Sequence, residues 1–277
     1  MPRPPASPPP PSYRSAAAKA ALYAGLVASA AVALLPLGWM LWAAFTEPDA
    51  PGLTLAHFAD LFARFPVGRW LANSLFVSAA QTVLVVLTST LGGFALATYA
   101  FPGRRLVVGL MLGTLFLPSQ VLLPGLYAVV LRLGWADTFA AVVVPGSVSA
   151  FGTFLFMQAM AKVPAELVQA ARVDGCSELR VWWEVALPVV RPMVGAYTLL
   201  AFVGSWNSYL WPAAVLLDES NYTLAVGLAS MVGLPGYEGR SGVLMAATLV
   251  AIAPPAGLFL WLQRDFVAGL AAGAVKG

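Results

Sequence analysis

Six long stretches without a charged residue dominate this sequence. They are the windows Ala20–Thr46, Trp70–Gly103, Leu106–Leu131, Thr138–Ala161, Pro192–Leu217 and Ser241–Gln263. Each window exceeds the roughly 20 residues that a helix needs to cross about 30 Å of hydrocarbon at about 1.5 Å per residue. Because a helix satisfies its own backbone hydrogen bonds in lipid, the windows predict an all-α integral membrane protein with six transmembrane helices.

Neither strands nor a soluble domain fit this pattern. Strands of a membrane barrel alternate polar and apolar residues, and a stretch such as Val243–Ala253 lacks that alternation. Only 10% of the residues are charged and the mean hydropathy is +0.82, whereas soluble domains carry about 25% charged residues. These values exclude a soluble enzyme, a basic nucleic-acid binder and a disordered tail protein. We therefore expect the lipid bilayer, and no nucleic acid, as a partner.

The distribution of basic residues predicts the orientation. If the N-terminus lies inside, eleven basic residues fall on the inner side: Arg3, Arg14, Lys19, Arg104, Arg105, Lys162, Arg172, Arg180, Arg191, Arg264 and Lys276. Four fall outside: Arg64, Arg69, Arg132 and Arg240. This positive-inside bias places both termini in the cytoplasm. We predict a flexible proline-rich tail over 1–19, a six-helix domain over 20–263 and a C-terminal cytoplasmic tail over 264–277.

The chain lacks the residues that would supply its own energy or chemistry. No charged side chain lies inside any window, although ion-coupled carriers use such groups despite a cost of about 2.5–3.5 kcal/mol. There is no G-x-x-x-x-G-K-[ST] phosphate loop, so ATP would have to act through a partner. Cys176 and His57 are the only cysteine and histidine, which excludes a disulfide framework and a thiolate zinc site. A stand-alone secondary carrier or channel, and an intramembrane enzyme, remain the alternatives to a partner-driven transporter.

The loop 162–191 between the fourth and fifth windows is the most informative inner segment. Pro164 suits a helix start, and Glu166 in the first turn favours the helix dipole. Asp174-Gly175 ends this helix, because glycine adopts the positive φ of a C-cap. A second short helix follows, with Ser177 as its cap and Arg180 and Glu184 spaced for an ion pair. We expect Ala170 and Ala171 to form a small-residue face that another surface can approach closely. Thirty structured residues exceed a mere connection, and they indicate a docking device.

This loop resembles that of a known family. The pattern E-A-A-x₃-G-x₉-I-x-L-P is typical of permease subunits of binding-protein-dependent ABC importers. It reads here Gln169-Ala170-Ala171, Gly175 and Val185-Ala186-Leu187-Pro188, so Gln169 and Val185 depart from it. Three further segments are similar to the maltose-type carbohydrate branch, and the last of them to its smaller permease subunit: Pro118–Pro124 (PSQVLLP), Trp206–Pro212 (WNSYLWP) and the tail Gln263–Gly277.

The resemblance implies a type I importer permease fold and a set of partners. They are a second related permease, two ATP-binding subunits and an extracytoplasmic solute-binding protein, in a prokaryotic plasma (inner) membrane. ATP and Mg would be bound by the ATP-binding subunits, and no cofactor by this chain. The tail after Arg264 would touch the ATPase pair, and the outer loop Asp218–Arg240 the binding protein. Coupling to the ATPase would fall to Glu166, Gln169, Ala170, Ala171, Asp174, Gly175, Leu187 and Pro188.

Polar side chains at membrane depth are candidates for a translocation path. They are Gln81, Thr88, Ser89, Thr90, Gln120, Ser205, Asn207 and Ser208. The predicted path consists of Gln81, Gln120, Ser205, Asn207 and the neighbouring Tyr209. Buried amides and hydroxyls need partners, which neighbouring helices or sugar hydroxyls can supply. Asn207 lies between the aromatic rings of Trp206 and Tyr209, an arrangement that suits stacking on a sugar and equally an interfacial aromatic belt. Which solute is carried, and whether this chain touches it, stay open at this point.

Overall fold

The computed structural model describes residues 16–47, 50–232 and 241–274, and these residues form fourteen α-helices. The helices are α1 (Ala16–Phe45), α2 (Ala56–Arg64), α3 (Val67–Thr98), α4 (Arg104–Thr114), α5 (Ser119–Arg132), α6 (Phe139–Val143), α7 (Ala150–Met160), α8 (Ala165–Val173), α9 (Glu178–Arg180), α10 (Leu187–Val189), α11 (Arg191–Trp206), α12 (Leu210–Val215), α13 (Leu224–Met231) and α14 (Ser241–Ala274). Two short strands, β1 (Thr46–Glu47) and β2 (Ala50–Leu53), pair antiparallel. Short 3₁₀-helices cover Pro145–Ser147 and Glu219–Asn221, and a π-helix covers Val181–Ala186.

Four stretches of the described chain are long and apolar enough to cross a membrane as they stand: Ala18–Phe45, Val67–Thr98, Phe139–Met160 and Gly242–Arg264. Two further pairs of helices are sharply bent, α4 with α5 by 102° and Glu178–Val189 with α11 by 88°. The count is therefore four, or up to six if each bent pair is one span. The predicted all-α membrane fold is confirmed.

The third, fourth and fifth windows need correction, since none of them is one continuous α-helix. The fourth consists of α6, the 3₁₀-helix Pro145–Ser147 and α7. In the third, the chain leaves the helix after Thr114 and Pro118 precedes α5 with extended φ/ψ of −60° and 125°. Proline disfavours the helical conformation of the residue before it, which explains the break. In the fifth, α11 ends at Trp206 and α12 starts at Leu210. Pro212 has no N–H to donate to the carbonyl four residues earlier, so a continuous helix is weakened at this point.

Both tail boundaries also shift. The helix α1 begins at Ala16, so residues 16–19 belong to it rather than to the predicted tail, whose residues 1–15 lie outside the described part. At the other end, α14 runs without interruption to Ala274, and the boundary at 264 falls inside it. From Asp265 to Ala274 the sequence contains four alanines, the best helix former, and no proline, which is consistent with continuation of the helix.

The helix α3 lies at the centre of the packing. Against α7 its backbone approaches so closely that a Cβ on Gly93 would lie 2.5 Å from the Cβ of Phe156 and 2.7 Å from the amide nitrogen of Met157. Near the start of α3, the fully buried Trp70 ring covers Gly227 of α13 in the same way. We call the end of the molecule that contains α8 (Ala165–Val173) the α8 end, and the end that contains α13 (Leu224–Met231) the α13 end.

By contrast, α4 and α5 leave a wide apolar surface uncovered. Within 104–114 no residue of α4 is buried, and Val130 is the buried residue of α5. Leu110 is 64% exposed and Val121 is 71% exposed. Such a surface is stable in lipid or against another apolar helix.

Candidate functional site

The turn that ends α8 is built around Gly175. This glycine has a φ of +80°, in the left-handed region that glycine adopts without steric cost. Its N–H donates to the Arg172 carbonyl (3.0 Å), and the Cys176 N–H donates to the Ala171 carbonyl (3.0 Å). These two bonds form a Schellman motif, with Cys176 and Ala171 in apolar contact with one cluster. The positive φ predicted for Gly175 is confirmed, and the turn fixes where the next helix starts.

One face of α8 packs on the protein and the other is open. Val168 is buried, and with Ala171 it joins the cluster around Met160 and Trp182. The open face carries Glu166, Gln169, Ala170 and Val173, and the chain continues past it through the exposed Asp174. The expectation that Ala170 and Ala171 share a free small-residue surface is corrected, because the helix period turns Ala171 inward and leaves Ala170 outside.

The second half of loop 162–191 contains the short helix α9 followed by a π-helix. Ser177 occupies the position before α9, but its side chain makes no capping hydrogen bond there. The Arg180 and Glu184 side chains form the predicted ion pair at 3.6 Å. The π-helix that follows widens the turn before the half-buried Leu187 and the exposed Pro188. Single π turns are frequent at functional sites.

A cluster of three polar side chains ties this loop to the end of α3. The Arg172 guanidinium donates to both Glu178 carboxylate oxygens (2.8 and 3.0 Å), and the Tyr99 hydroxyl donates to Glu178 Oε2 (2.5 Å). The Arg172 guanidinium also lies 5.8 Å from the Tyr99 ring centre. The bonds from Arg172 and then Tyr99 hold the pKa of Glu178 below its ordinary value. Burial, and then the bond to Glu178, raise the pKa of Tyr99.

A polar cleft of about 300 Å³ lies between α3, the 3₁₀-helix Pro145–Ser147 and α11. Here the Ser205 hydroxyl donates to Gln81 Oε1 (2.5 Å), so the structure brings these two predicted path residues together. It does not bring the other three to the cleft. Gln120 is exposed at the start of α5, and Asn207 and Tyr209 are exposed at the break between α11 and α12.

Two cleft residues, Ser149 and Tyr197, were missing from the predicted candidates, whereas Ser208 was among the polar side chains expected at membrane depth. On α11 the lining positions are 197, 201, 204 and 205, a spacing that follows one face of a helix, and Ser208 lines the cleft just after the end of α11. This periodicity in the sequence could have predicted these positions. The sequence could not have predicted the role of Gly146, because that role depends on tertiary packing: a Cβ on Gly146 would lie 1.4 Å from Gln81 Nε2.

At the α13 end, the segment 219–224 is fastened to the start of α3. The bonds run from Trp70 Nε1 to the Glu219 carbonyl (3.1 Å), from Asn73 Nδ2 to the Ser220 and Tyr222 carbonyls (both 2.9 Å), and from the Leu224 N–H to Ser74 Oγ (2.7 Å). Part of the outer loop Asp218–Arg240 is thus held rigidly, and its residues 233–240 lie outside the described chain.

The neighbouring turn depends on Asp137, which has a φ of 58°. Its carboxylate accepts from the N–H groups of Leu217 (2.8 Å) and Asp218 (3.1 Å), and its carbonyl accepts from Asn221 Nδ2 (3.1 Å). Burial favours the neutral acid, but the bonds from Asp218, Leu217 and Asn221 outweigh it and lower the pKa of Asp137. Within the described residues, no group of three His, Cys, Asp or Glu side chains could hold a metal ion.

Comparison with known families agrees with this arrangement. Residues 89–269 match the family described as "Binding-protein-dependent transport system inner membrane component". The chain belongs to this family. It is a membrane-spanning permease subunit of an importer and not an enzyme, as the loop motif predicts. The match favours this reading over a stand-alone carrier or channel and over an intramembrane enzyme.

Two curated relatives cover most of the chain. The arabinooligosaccharides transport system permease protein AraQ of Halalkalibacterium halodurans is 36% identical over 230 residues, which are 83% of this chain and 82% of the relative. The sn-glycerol-3-phosphate transport system permease protein UgpE of Yersinia enterocolitica is 35% identical over 205 residues, 74% of this chain and 73% of the relative.

Two solved structures share the fold. A chain of a bacterial ABC transporter involved in the import of the acidic polysaccharide alginate superposes with a TM-score of 0.81 at 21% identity, covering 93% of this chain and 100% of that one. A chain of a bacterial alginate ABC transporter in complex with an alginate pentasaccharide-bound periplasmic protein gives 0.63 at 16% identity, covering 88% and 92%. At these identities the comparison establishes a type I importer permease fold and no more.

Proposed function

We propose that this chain forms half of the translocation path of an ATP-driven importer for a neutral sugar. The observation that carries the proposal is the open face of α8, a short helix that projects from the bundle on a rigid glycine turn. Such a helix can enter a groove of an ATP-binding subunit and transmit its movement. We place Glu166, Gln169, Ala170 and Asp174 at this contact, with Gly175 holding the helix in position.

The partners follow from the surfaces that the chain leaves open. A second related permease would cover the apolar surface of α4 and α5, where Gly109 and Gly113 of α4 have no atom of the described chain within 4 Å of an added Cβ. Two ATP-binding subunits would hold ATP and Mg and dock at α8, and this chain would bind no cofactor. A solute-binding protein would dock at the α13 end, with both termini on the α8 side in the cytoplasm.

The polar cleft supports the choice of solute. Gln81, Ser149, Ser205 and Ser208 offer amide and hydroxyl groups, and none of the residues that line the cleft is charged. Sugar hydroxyls exchange hydrogen bonds with such groups, whereas a phosphate or an acidic sugar is better matched by arginine or lysine. The relatives transport arabinooligosaccharides and sn-glycerol-3-phosphate according to their names. The uncharged lining favours a neutral sugar, such as an arabinooligosaccharide, over a phosphate.

The test is to tag the chain, extract it in mild detergent and identify the proteins that co-purify. We expect a second permease and an ATP-binding subunit. A stable homo-oligomer without an ATPase would contradict the importer assembly. A solute-binding protein that associates with the purified complex can then be screened by thermal shift, with arabinooligosaccharides and glycerol 3-phosphate as probes. Stabilisation by the phosphate alone would contradict the neutral-sugar assignment.

A further inference from the structure

The helix α3 is built as a single stiff element. It runs unbroken for 32 residues, about 48 Å at about 1.5 Å per residue. From Val67 to Thr98 it contains no proline, and Pro102 of its window lies beyond its end, whereas each of the other five windows also contains at least one proline. Since proline is the common cause of kinks in helices, α3 is the span best able to transmit a displacement along its whole length.

Both ends of α3 are fastened by side chains to the segments proposed to meet partners. At the α13 end, Trp70, Asn73 and Ser74 bond four backbone groups of the segment 219–224. At the α8 end, Tyr99 directly follows the last residue of α3 and donates to Glu178, which in turn holds Arg172 of α8. The Tyr99 N–H also bonds the Ala95 carbonyl, so the tyrosine moves with the helix.

We propose that Tyr99 is a positioning residue that couples α8 to α3, and that α3 carries displacement of α8 to the segment 219–224. The inference rests on the proposed function, because it assumes that an ATP-binding subunit moves α8. Its chemistry is local: the hydroxyl of Tyr99 shares the Glu178 carboxylate with the Arg172 guanidinium, and a charge-assisted bond of this kind is about twice as strong as a neutral one. Removal of the hydroxyl leaves the ring in its edge contact with Phe94.

The experiment measures the accessibility of a residue at the α13 end while ATP binds to the subunits proposed to dock at the α8 end. In the purified complex, Cys176 is replaced by alanine and Glu219, which is exposed, by cysteine. The rate of maleimide labelling of this chain is measured without nucleotide and with ATP, Mg and vanadate. We expect nucleotide to change the rate in the parent complex, and Tyr99→Phe to reduce that change about tenfold or more, as for loss of one charge-assisted hydrogen bond. Tyr127→Phe, whose ring packs against the cluster around Val130, is the matched control and should behave as the parent.

A double variant separates transmission from simple damage. Asn73→Ala removes two of the four bonds at the other end of the link, about 39 Å from Tyr99 along the helix. Sites this far apart normally act independently, so their effects multiply. If the two sites act in series, the nucleotide-dependent change in labelling rate in the double variant should be no smaller than in the single variant with the smaller change. Three outcomes would overturn the inference. Tyr99→Phe could respond to nucleotide like the parent, the effects of the two single variants could multiply in the double variant, or the parent complex itself could show no response. Failure of any ATP-binding subunit to co-purify would instead refute the proposed function, and the inference with it.

Discussion

At the scale of single residues, we expect the same substitution to have different effects at the two adjacent alanines of α8. Ala170 is exposed on the open face, and Ala171 packs into the cluster with Val168. We expect Ala170→Glu to leave the melting temperature of the extracted chain unchanged and to reduce the ATP-binding subunit that co-purifies. Ala171→Glu should lower the melting temperature, because a carboxylate is forced against apolar side chains. Equal melting temperatures for the two variants would contradict the orientation of α8.

Glu178 makes the attachment of loop 162–191 sensitive to acid. Its pKa in the folded protein lies below the ordinary 4.5, chiefly because of Arg172 and then Tyr99. A lowered carboxyl pKa adds stability that is present above pH 4.5 and is lost as the pH falls through the folded value. We expect hydrogen exchange in α8 and α9 to be slower in the parent than in Glu178→Gln at pH 7.

That difference should shrink as the pH falls from 4.5 through the lowered folded pKa of Glu178, below which the carboxylate of the parent is protonated. Comparison at equal pH cancels the intrinsic pH dependence of exchange, and the α13 end serves as an internal reference. A difference that persists undiminished well below pH 4.5 would show that the ion pair does not hold the loop.

For whole elements, the packing of α3 on α7 is the contact most sensitive to added volume. We expect Gly93→Ala to destabilise the protein by about 1–3 kcal/mol, because the new methyl group meets backbone atoms that cannot move aside. Gly68→Ala on the same helix is the control, since an added Cβ there has no atom within 4 Å. It should be neutral or stabilising by up to about 1 kcal/mol. Thermal unfolding in detergent measures both, and equal values would contradict the close approach of α3 and α7.

The sequence predicts elements best where one local rule decides the outcome. Charge-free length locates the long helices α1, α3 and α14, and the Asp174-Gly175 pair marks the end of α8. Bends and contacts between distant residues were not predictable in this way. Proline indicates that a break is allowed, but it does not specify the angle of 102° between α4 and α5. Likewise, Tyr99 meets Glu178 across 79 residues, which no local pattern encodes.

For the molecule as a whole, the apolar surface of α4 and α5 is one of the surfaces, together with that of α1, that this chain alone leaves uncovered. Lipid or a second permease can cover it, and the proposed assembly requires the permease. We expect a photo-crosslinking residue placed at Leu110, 64% exposed on α4, to capture a second permease in native membranes. The same residue at Val130, 1% exposed on α5, should crosslink only within the chain. Lipid adducts alone at Leu110 would show that this surface faces the bilayer, and the partner would then have to bind elsewhere on the bundle.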